Sequence, residues 1–137
     1  MSKYNSKKVT INNLTFDSKL EADYYLLLSE RLQDGEISSF VIQPKYELIP
    51  KFEKLGIKYR ATTYTPDFLI NHIDGTKECI DVKGFGTLAS DLRRKLFNYK
   101  YPEIKLTWIS HCKKYGGWLE YDELAKLRRD NKKLKAE

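Results

Sequence analysis

Cysteine is scarce in this chain: only Cys79 and Cys112 occur among 137 residues. They stand far apart, so neither a CxxC metal pattern nor a disulfide framework is available. A reduced, cytoplasmic setting is the default, with both thiols as small buried apolar groups. No apolar run approaches the length needed to cross a bilayer, and no membrane partner is expected. The opening MSKYNSKKVTINN is polar and lacks the apolar stretch of a secretory signal. His72 and His111 have no adjacent Ser or Cys in a local catalytic motif, which argues against acyl transfer.

Apolar residues make up 41% of the chain and charged residues 32%, the balance of a globular protein and not of a disordered one. The length fits one domain, residues 1–137, with one moderate core. The net charge of +6 favours an acidic partner, nucleic acid first. The excess is grouped: Lys3, Lys7 and Lys8; then Arg93, Arg94, Lys95 and Lys100; then Lys126, Arg128, Arg129, Lys132, Lys133 and Lys135. A single basic run is usually a solvated face, but three in one small domain suit a polyanion. The ten tyrosines fall mostly at apolar-periodic positions and are read as packing, not as base-stacking platforms.

Residues 1–8 read as a flexible basic arm, and VTINNLTF at 9–16 as a short strand or a turn at Asn12-Asn13. A first helix is expected from Lys19 to Gln33. Ser18 or Asp17 would cap it, Leu20, Tyr24, Leu27, Leu28 and Leu32 would face the core, and Asp34-Gly35 would end it. Ser39–Pro50 reads as a strand in which Pro44 marks an edge or a bulge. Lys51–Gly56 is a turn, Ile57–Ile70 a long strand, Asp74-Gly75 a turn signal and Lys77–Lys83 the next strand. A second helix spans 89–100 with Ser90 a candidate N-cap, and Tyr101-Pro102 stops it. Ile104–Ser110 is a fourth strand, Tyr115-Gly116-Gly117 a turn, and a basic last helix covers Asp122–Leu134 with Leu124 and Leu127 inward. The order α-β-β-β-α-β-α implies a mixed sheet flanked by helices, an α/β or α+β sandwich.

The stretch TPDFLINHIDGTKECIDVKG, from Thr65 to Gly84, places Asp67, Asp81 and Lys83 in apolar, strand-forming runs. Unpaired charges are costly there. Alternation puts Asp81 and Lys83 on one face and Ile80 and Val82 on the core side. A two-residue Asp74-Gly75 turn would set Asp67 opposite Val82, with the aspartates on different faces. A three-residue Ile73-Asp74-Gly75 loop with Gly75 left-handed would set Asp67 opposite Asp81. The second is preferred, because a one-residue slip also misplaces the apolar residues. Two adjacent carboxylates repel unless a cation sits between them. Mg²⁺, with Mn²⁺ as a substitute, is the natural occupant, since it is held by one or two carboxylates plus substrate phosphates. Lys83 beside it would orient a water or stabilise charge on phosphate. These parts suit phosphodiester hydrolysis. The competing reading of Asp81 and Lys83 is a surface ion pair.

Pro66-Asp67 followed by Asp81-Val82-Lys83, after a helix and a first strand, resembles the PD-(D/E)XK nuclease superfamily, whose α-β-β-β-α-β restriction-endonuclease-like core matches the expected order over roughly residues 16–110. FDSKLEADYY, SFVIQPKYEL and RRKLFNYKYP resemble small phage-encoded endonucleases of that superfamily, some described as Holliday-junction resolvases. The resemblance implies Asp67 and Asp81 as metal ligands, Lys83 as the motif lysine, and Glu21 as a third ligand from the first helix. Ser18-Lys19-Leu20-Glu21 is also a capping box, so Glu21 has a second reading as a cap. Gln43 either lines the site or faces solvent. Gly84 either lets a phosphate approach the backbone or simply ends a strand. Arg93, Arg94 and Lys95 are candidates for DNA phosphates, Lys95 foremost.

The expectation is a Mg²⁺-dependent DNA endonuclease acting on branched or structured duplex in phage recombination or replication, within the host cytoplasm if phage-encoded. The resemblance also implies a homodimer, which would supply two sites for symmetric cutting. The alternatives are a non-catalytic DNA-binding or recombination-accessory protein on the same fold, and a nuclease for RNA or plain duplex ends.

Overall fold

The computed structural model describes residues 7–136, so the first six residues of the expected basic arm lie outside the described residues. The elements in order are β1 (Val9–Ile11), β2 (Leu14–Phe16), α1 (Lys19–Gln33), β3 (Ile37–Ile42), β4 (Tyr46–Ile49), β5 (Phe52–Lys54) and β6 (Ile57–Tyr59). There follow β7 (Thr62–Tyr64), β8 (Phe68–His72), β9 (Lys77–Val82), α2 (Leu88–Lys100), β10 (Lys105–Cys112), a 3-10 turn at Lys113–Tyr115, β11 (Gly117–Glu120) and α3 (Tyr121–Ala136). The architecture is mixed α+β. A five-stranded sheet has the order β11-β10-β9-β8-β3, and three two-stranded pairs, β1-β2, β4-β7 and β5-β6, stand apart from it. Within the large sheet β9 and β10 are parallel and the other neighbours antiparallel. A parallel pair needs a crossover, and α2 supplies it.

Helix α1 begins and ends where its sequence signals stand. Ser18 Oγ accepts from the Glu21 amide at 3.1 Å, and Gly35 takes a left-handed φ of 76° just past the end. Ala22, Tyr24 and Leu28 are buried, whereas Leu32, expected inward, lies past the core cluster and is 40% exposed. Helix α2 starts at Leu88 and not at 89. Its cap is Thr87, with Ser90 as the reciprocal partner three residues on. Helix α3 buries Leu124 and leaves its basic side in solvent.

Side-chain alternation divides the core between the two faces of the sheet. Phe68, Ile70 and Ile80 pack with Phe16, Tyr24 and Leu28 on the α1 side. Cys79 packs with Phe97 of α2 and with Leu48 and Tyr64 on the other. Each large apolar side chain so buried is worth about 1.5–3 kcal/mol. Both cysteines are free thiols; Cys79 is fully buried and Cys112 half-buried.

Both long strands expected from the sequence are broken. Ser39–Pro50 divides into β3, at the edge of the large sheet, and β4, which leaves it to pair with β7. Pro44 has no amide to donate, and Gln43 before it turns to a φ of 52°. Ile57–Ile70 divides into β6, β7 and β8, with Pro66 buried in the bend before β8. The stretch expected as a turn, Lys51–Gly56, instead contributes β5 to a hairpin with β6. Asn12 and Asn13 form the left-handed tip of the β1-β2 hairpin. Strand β11 extends the sheet where only a turn was expected. Among the described residues no helix is long and apolar enough to cross a membrane.

Candidate active site

The loop between β8 and β9 decides the site. Phe68 pairs with Ile80, Leu69 with Cys79, Ile70 with Glu78 and Asn71 with Lys77. The His72 amide bonds the Thr76 carbonyl at 2.9 Å, and Gly75 is left-handed at φ 89°. The tip is therefore the three-residue Ile73-Asp74-Gly75 loop. Extending the register by one step sets Asp67, just before β8, opposite Asp81. Ile80 and Val82 pack toward the α1 core, so Asp81 and Lys83 share the opposite face.

Asp81 is 6% exposed, and donors surround one of its oxygens. Lys83 Nζ lies 3.2 Å from Asp81 Oδ2, and the Tyr64 hydroxyl donates to the same oxygen. Trp108 Nε1 in turn donates to Tyr64 Oη at 3.3 Å. Trp108 stands beside Asp81 in the parallel register, and Lys83 Nζ is 5.1 Å from its ring centre. The backbone of Lys83 is fixed too: its amide donates to Ile109 at 2.8 Å, and its carbonyl accepts from Ser110 Oγ at 2.6 Å. An ion pair this enclosed is held by its neighbours, unlike the loose surface pair that was its competing reading.

Asp67 Oδ2 accepts from the Val82 amide at 2.8 Å. Burial, then the charges of Asp81 and Glu21, push its pKa up to about 9, against the lowering effect of that amide. Glu21 is also raised, first by burial, next by Asp17 and further by Asp81, while hydrogen bonds from the Asp17 backbone and Ser18 pull it down. Glu21 thus feels both Asp17 at the helix entry and Asp81 of the acidic pair. Glu21, Asp67, Asp81 and Lys83 line one cleft of about 350 Å³, together with Thr63, Thr65, Ser90 and Arg93. It opens at the carboxyl end of β9, where ligands of open α/β sheets usually bind.

The donor set is all oxygen, which fits a hard cation such as Mg²⁺. Among the described residues no group of three or more His, Cys, Asp or Glu side chains is arranged to hold a metal. The expected triad of Glu21, Asp67 and Asp81 is thus not assembled as one ligand group. Asp67 and Asp81, close enough for the Asp81 charge to raise the Asp67 pKa, form the inner pair, and Glu21 stands at the cleft wall.

Other expected site residues separate. Gln43 lies just beyond β3, exposed and outside the cleft lining; its amide holds the Asp67 carbonyl at 2.8 Å. Arg94 is turned inward: its guanidinium forks onto both oxygens of Asp122 on α3 and lies 4.4 Å from the Trp108 ring centre. Arg93 reaches the cleft, whereas Lys95, two positions on along the helix, does not line it. Beside Gly84 there is open space, and at Gly86 there is none: a Cβ there would meet Tyr121 Oη at 3.1 Å and Trp108 at 3.3 Å.

Residues 1–117 match the model of a family described as protein of unknown function (DUF1064). The chain belongs to that family. The DUF1064 match takes in every residue of the cleft and ends before Asp122, the partner of Arg94. Searches of curated proteins and of solved structures find no match.

Sequence reasoning missed Tyr64 and Trp108, the two groups that fix Asp81. Tyr64 stood in what reads as one uniform strand, and Trp108 in another. Only the break at Pro66 and the β9-β10 register bring them together.

Proposed function

We propose that this protein is a metal-dependent DNA endonuclease of the PD-(D/E)XK type, hydrolysing phosphodiester bonds in branched or structured duplex. The observation that carries this reading is the meeting of Asp67 and Asp81 across one hairpin with Lys83 Nζ 3.2 Å from Asp81, in a cleft large enough for a phosphate. Supporting it, α1, β3, β8, β9, α2 and β10 follow one another in the order of the restriction-endonuclease-like core, if the inserted pairs β4-β7 and β5-β6 are set aside.

Asp67 and Asp81 would hold Mg²⁺ or Mn²⁺, which when bound supplies Lewis-acid stabilisation of the phosphate and activates a water. Tyr64 and Lys83 keep the Asp81 carboxylate aimed into the cleft. Lys83 orients the attacking water and offsets charge building on the phosphate oxygens. Val82, through its amide, fixes Asp67. Arg93 holds a flanking phosphate. Glu21 contributes negative charge at the wall and takes part in ordering water there.

The deciding experiment incubates the full chain with four-way junction, flap, linear duplex and RNA, with Mg²⁺, Mn²⁺ or EDTA. Metal-dependent cuts in DNA are expected, lost by at least ~100-fold in Asp81→Asn and Lys83→Ala with binding retained. Gel shifts without cleavage at any metal concentration would replace this reading with a DNA-binding accessory role.

A further inference from the structure

The β5-β6 hairpin is the most exposed part of the described fold. Every residue from 51 to 60 is exposed, and β5 and β6 pair only with each other. Phe52 faces Tyr59 across the ribbon and Lys54 faces Ile57. The rings of Phe52 and Tyr59 stack at 4.7 Å and 12°. Alternation puts Phe52, Lys54, Ile57 and Tyr59 on one face, and Glu53 and Lys58 on the other with Lys51 and Arg60 beside them. Lys51, Lys54, Lys58 and Arg60 oppose a single acid, Glu53. Among the described residues none of the four cations is paired with a carboxylate.

The tip is unusual. Leu55 and Gly56 connect the strands with φ of 52° and 78°, the tight turn that ordinarily takes Asn-Gly or Asp-Gly. A leucine at positive φ is strained. The same chain uses Asn12 and Asn13 for the corresponding tip of β1-β2. At β5-β6 it keeps instead a large apolar side chain, 91% exposed. Strain retained at the most exposed point of a basic ribbon calls for a reason outside the fold.

We propose that the β5-β6 hairpin is a DNA wedge: Leu55 enters between bases of a duplex arm, and Lys51, Lys54, Lys58 and Arg60 hold the phosphates on either side. The partner is set by charge, four free cations against one carboxylate, and by shape. A two-stranded ribbon fits a DNA groove, and an apolar tip is the type of group that unstacks a base step. This rests on the reading that the substrate is DNA, and it assigns the hairpin the recognition of distorted or branched sites that the cleft lacks.

The test uses the full chain in EDTA, so that binding is read without cutting, on a four-way junction and a duplex carrying 2-aminopurine at successive positions. The wild type is expected to raise the fluorescence as bases unstack. Leu55→Asn suits the left-handed turn better, so its urea midpoint should hold or rise, while the fluorescence gain disappears and affinity falls roughly 10-fold. Lys58→Ala should lower the slope of log affinity against log salt by about one. Equal unstacking by wild type and Leu55→Asn would overturn the wedge. So would Leu55-dependent dimerisation in sedimentation, or Leu55-dependent pelleting with phosphatidylserine vesicles, without a DNA signal. Cleavage is scored separately in Mg²⁺. Cuts with no Leu55-dependent unstacking sink the wedge alone, and Leu55-dependent unstacking with no cuts sinks the nuclease reading alone.

Discussion

Tyr64 and Lys83 converge on a single oxygen of Asp81: the phenol donates to Oδ2, and the ammonium lies 3.2 Å from it. The tyrosine is itself held by Trp108 Nε1, so three elements, β7, β9 and β10, fix one carboxylate. Tyr64→Phe keeps the ring against Phe97 but removes the donor to Asp81 and the acceptor for Trp108. The expected loss is about 1–3 kcal/mol in urea unfolding, the penalty for a buried polar group left unpaired. The Trp108 emission should shift, and cleavage should fall less than in Asp81→Asn.

The acidic pair makes metal-free stability depend on pH in an unusual direction. Burial and the neighbouring carboxylates raise the folded pKa of Asp67 from 3.8 to about 9. The folded chain therefore keeps a proton that the unfolded chain releases. The stabilising contribution is complete below 3.8 and is lost as the pH climbs through about 9. Urea midpoints measured in EDTA should fall from neutral pH toward that value, by at most about 1.4 kcal/mol per pH unit. Asp67→Asn should flatten the slope, and Mg²⁺ should reverse it for the wild type.

The three neighbouring bases of α2 should separate cleanly by experiment. Arg93→Ala is expected to weaken DNA binding and lower the salt slope by about one. Arg94→Ala removes the fork onto Asp122 and the stacking on Trp108. Its effect should be on stability, seen as a lower melting temperature, with Asp122→Ala giving a similar loss. Lys95→Ala should change neither by much, and equal DNA effects at 93 and 95 would contradict the cleft geometry.

Two glycines near the site predict opposite outcomes. Gly84→Ala adds a methyl group into open space, whereas Gly86→Ala pushes on Tyr121 Oη and Trp108. The Gly86 amide also donates to that hydroxyl at 2.9 Å. Gly86→Ala should destabilise by about 1–3 kcal/mol, as overpacking does, and loosen α3 in hydrogen exchange; Gly84→Ala should be near neutral.

The parts legible in the sequence were those set by local chemistry. The Ser18 cap and the apolar spacing located α1, and the Ile73-Asp74-Gly75 tip with its alternating flanks gave the register that joins Asp67 to Asp81. The illegible parts depend on distant partners. Nothing local says that β4 and β7 leave the sheet to pair with each other, or that Trp108 lies alongside Asp81. Pro66 was visible as half of a Pro-Asp motif, yet it also lies buried in the bend that separates β7, which carries Tyr64, from β8. Arg94 looked like its neighbours until α3 brought Asp122 to it.

The length of the β8-β9 tip has a consequence for how such a chain can change. Losing or gaining one codon among Ile73, Asp74 and Gly75 would leave both carboxylates encoded yet rotate one of them to the far side of the ribbon. Substitutions at Ile73, exposed and remote from the cleft, should by contrast pass almost unnoticed. For this stretch the number of residues in the tip matters to the geometry as much as the identity of the acids, and a comparison that counted only matching letters would overlook a change that separates them.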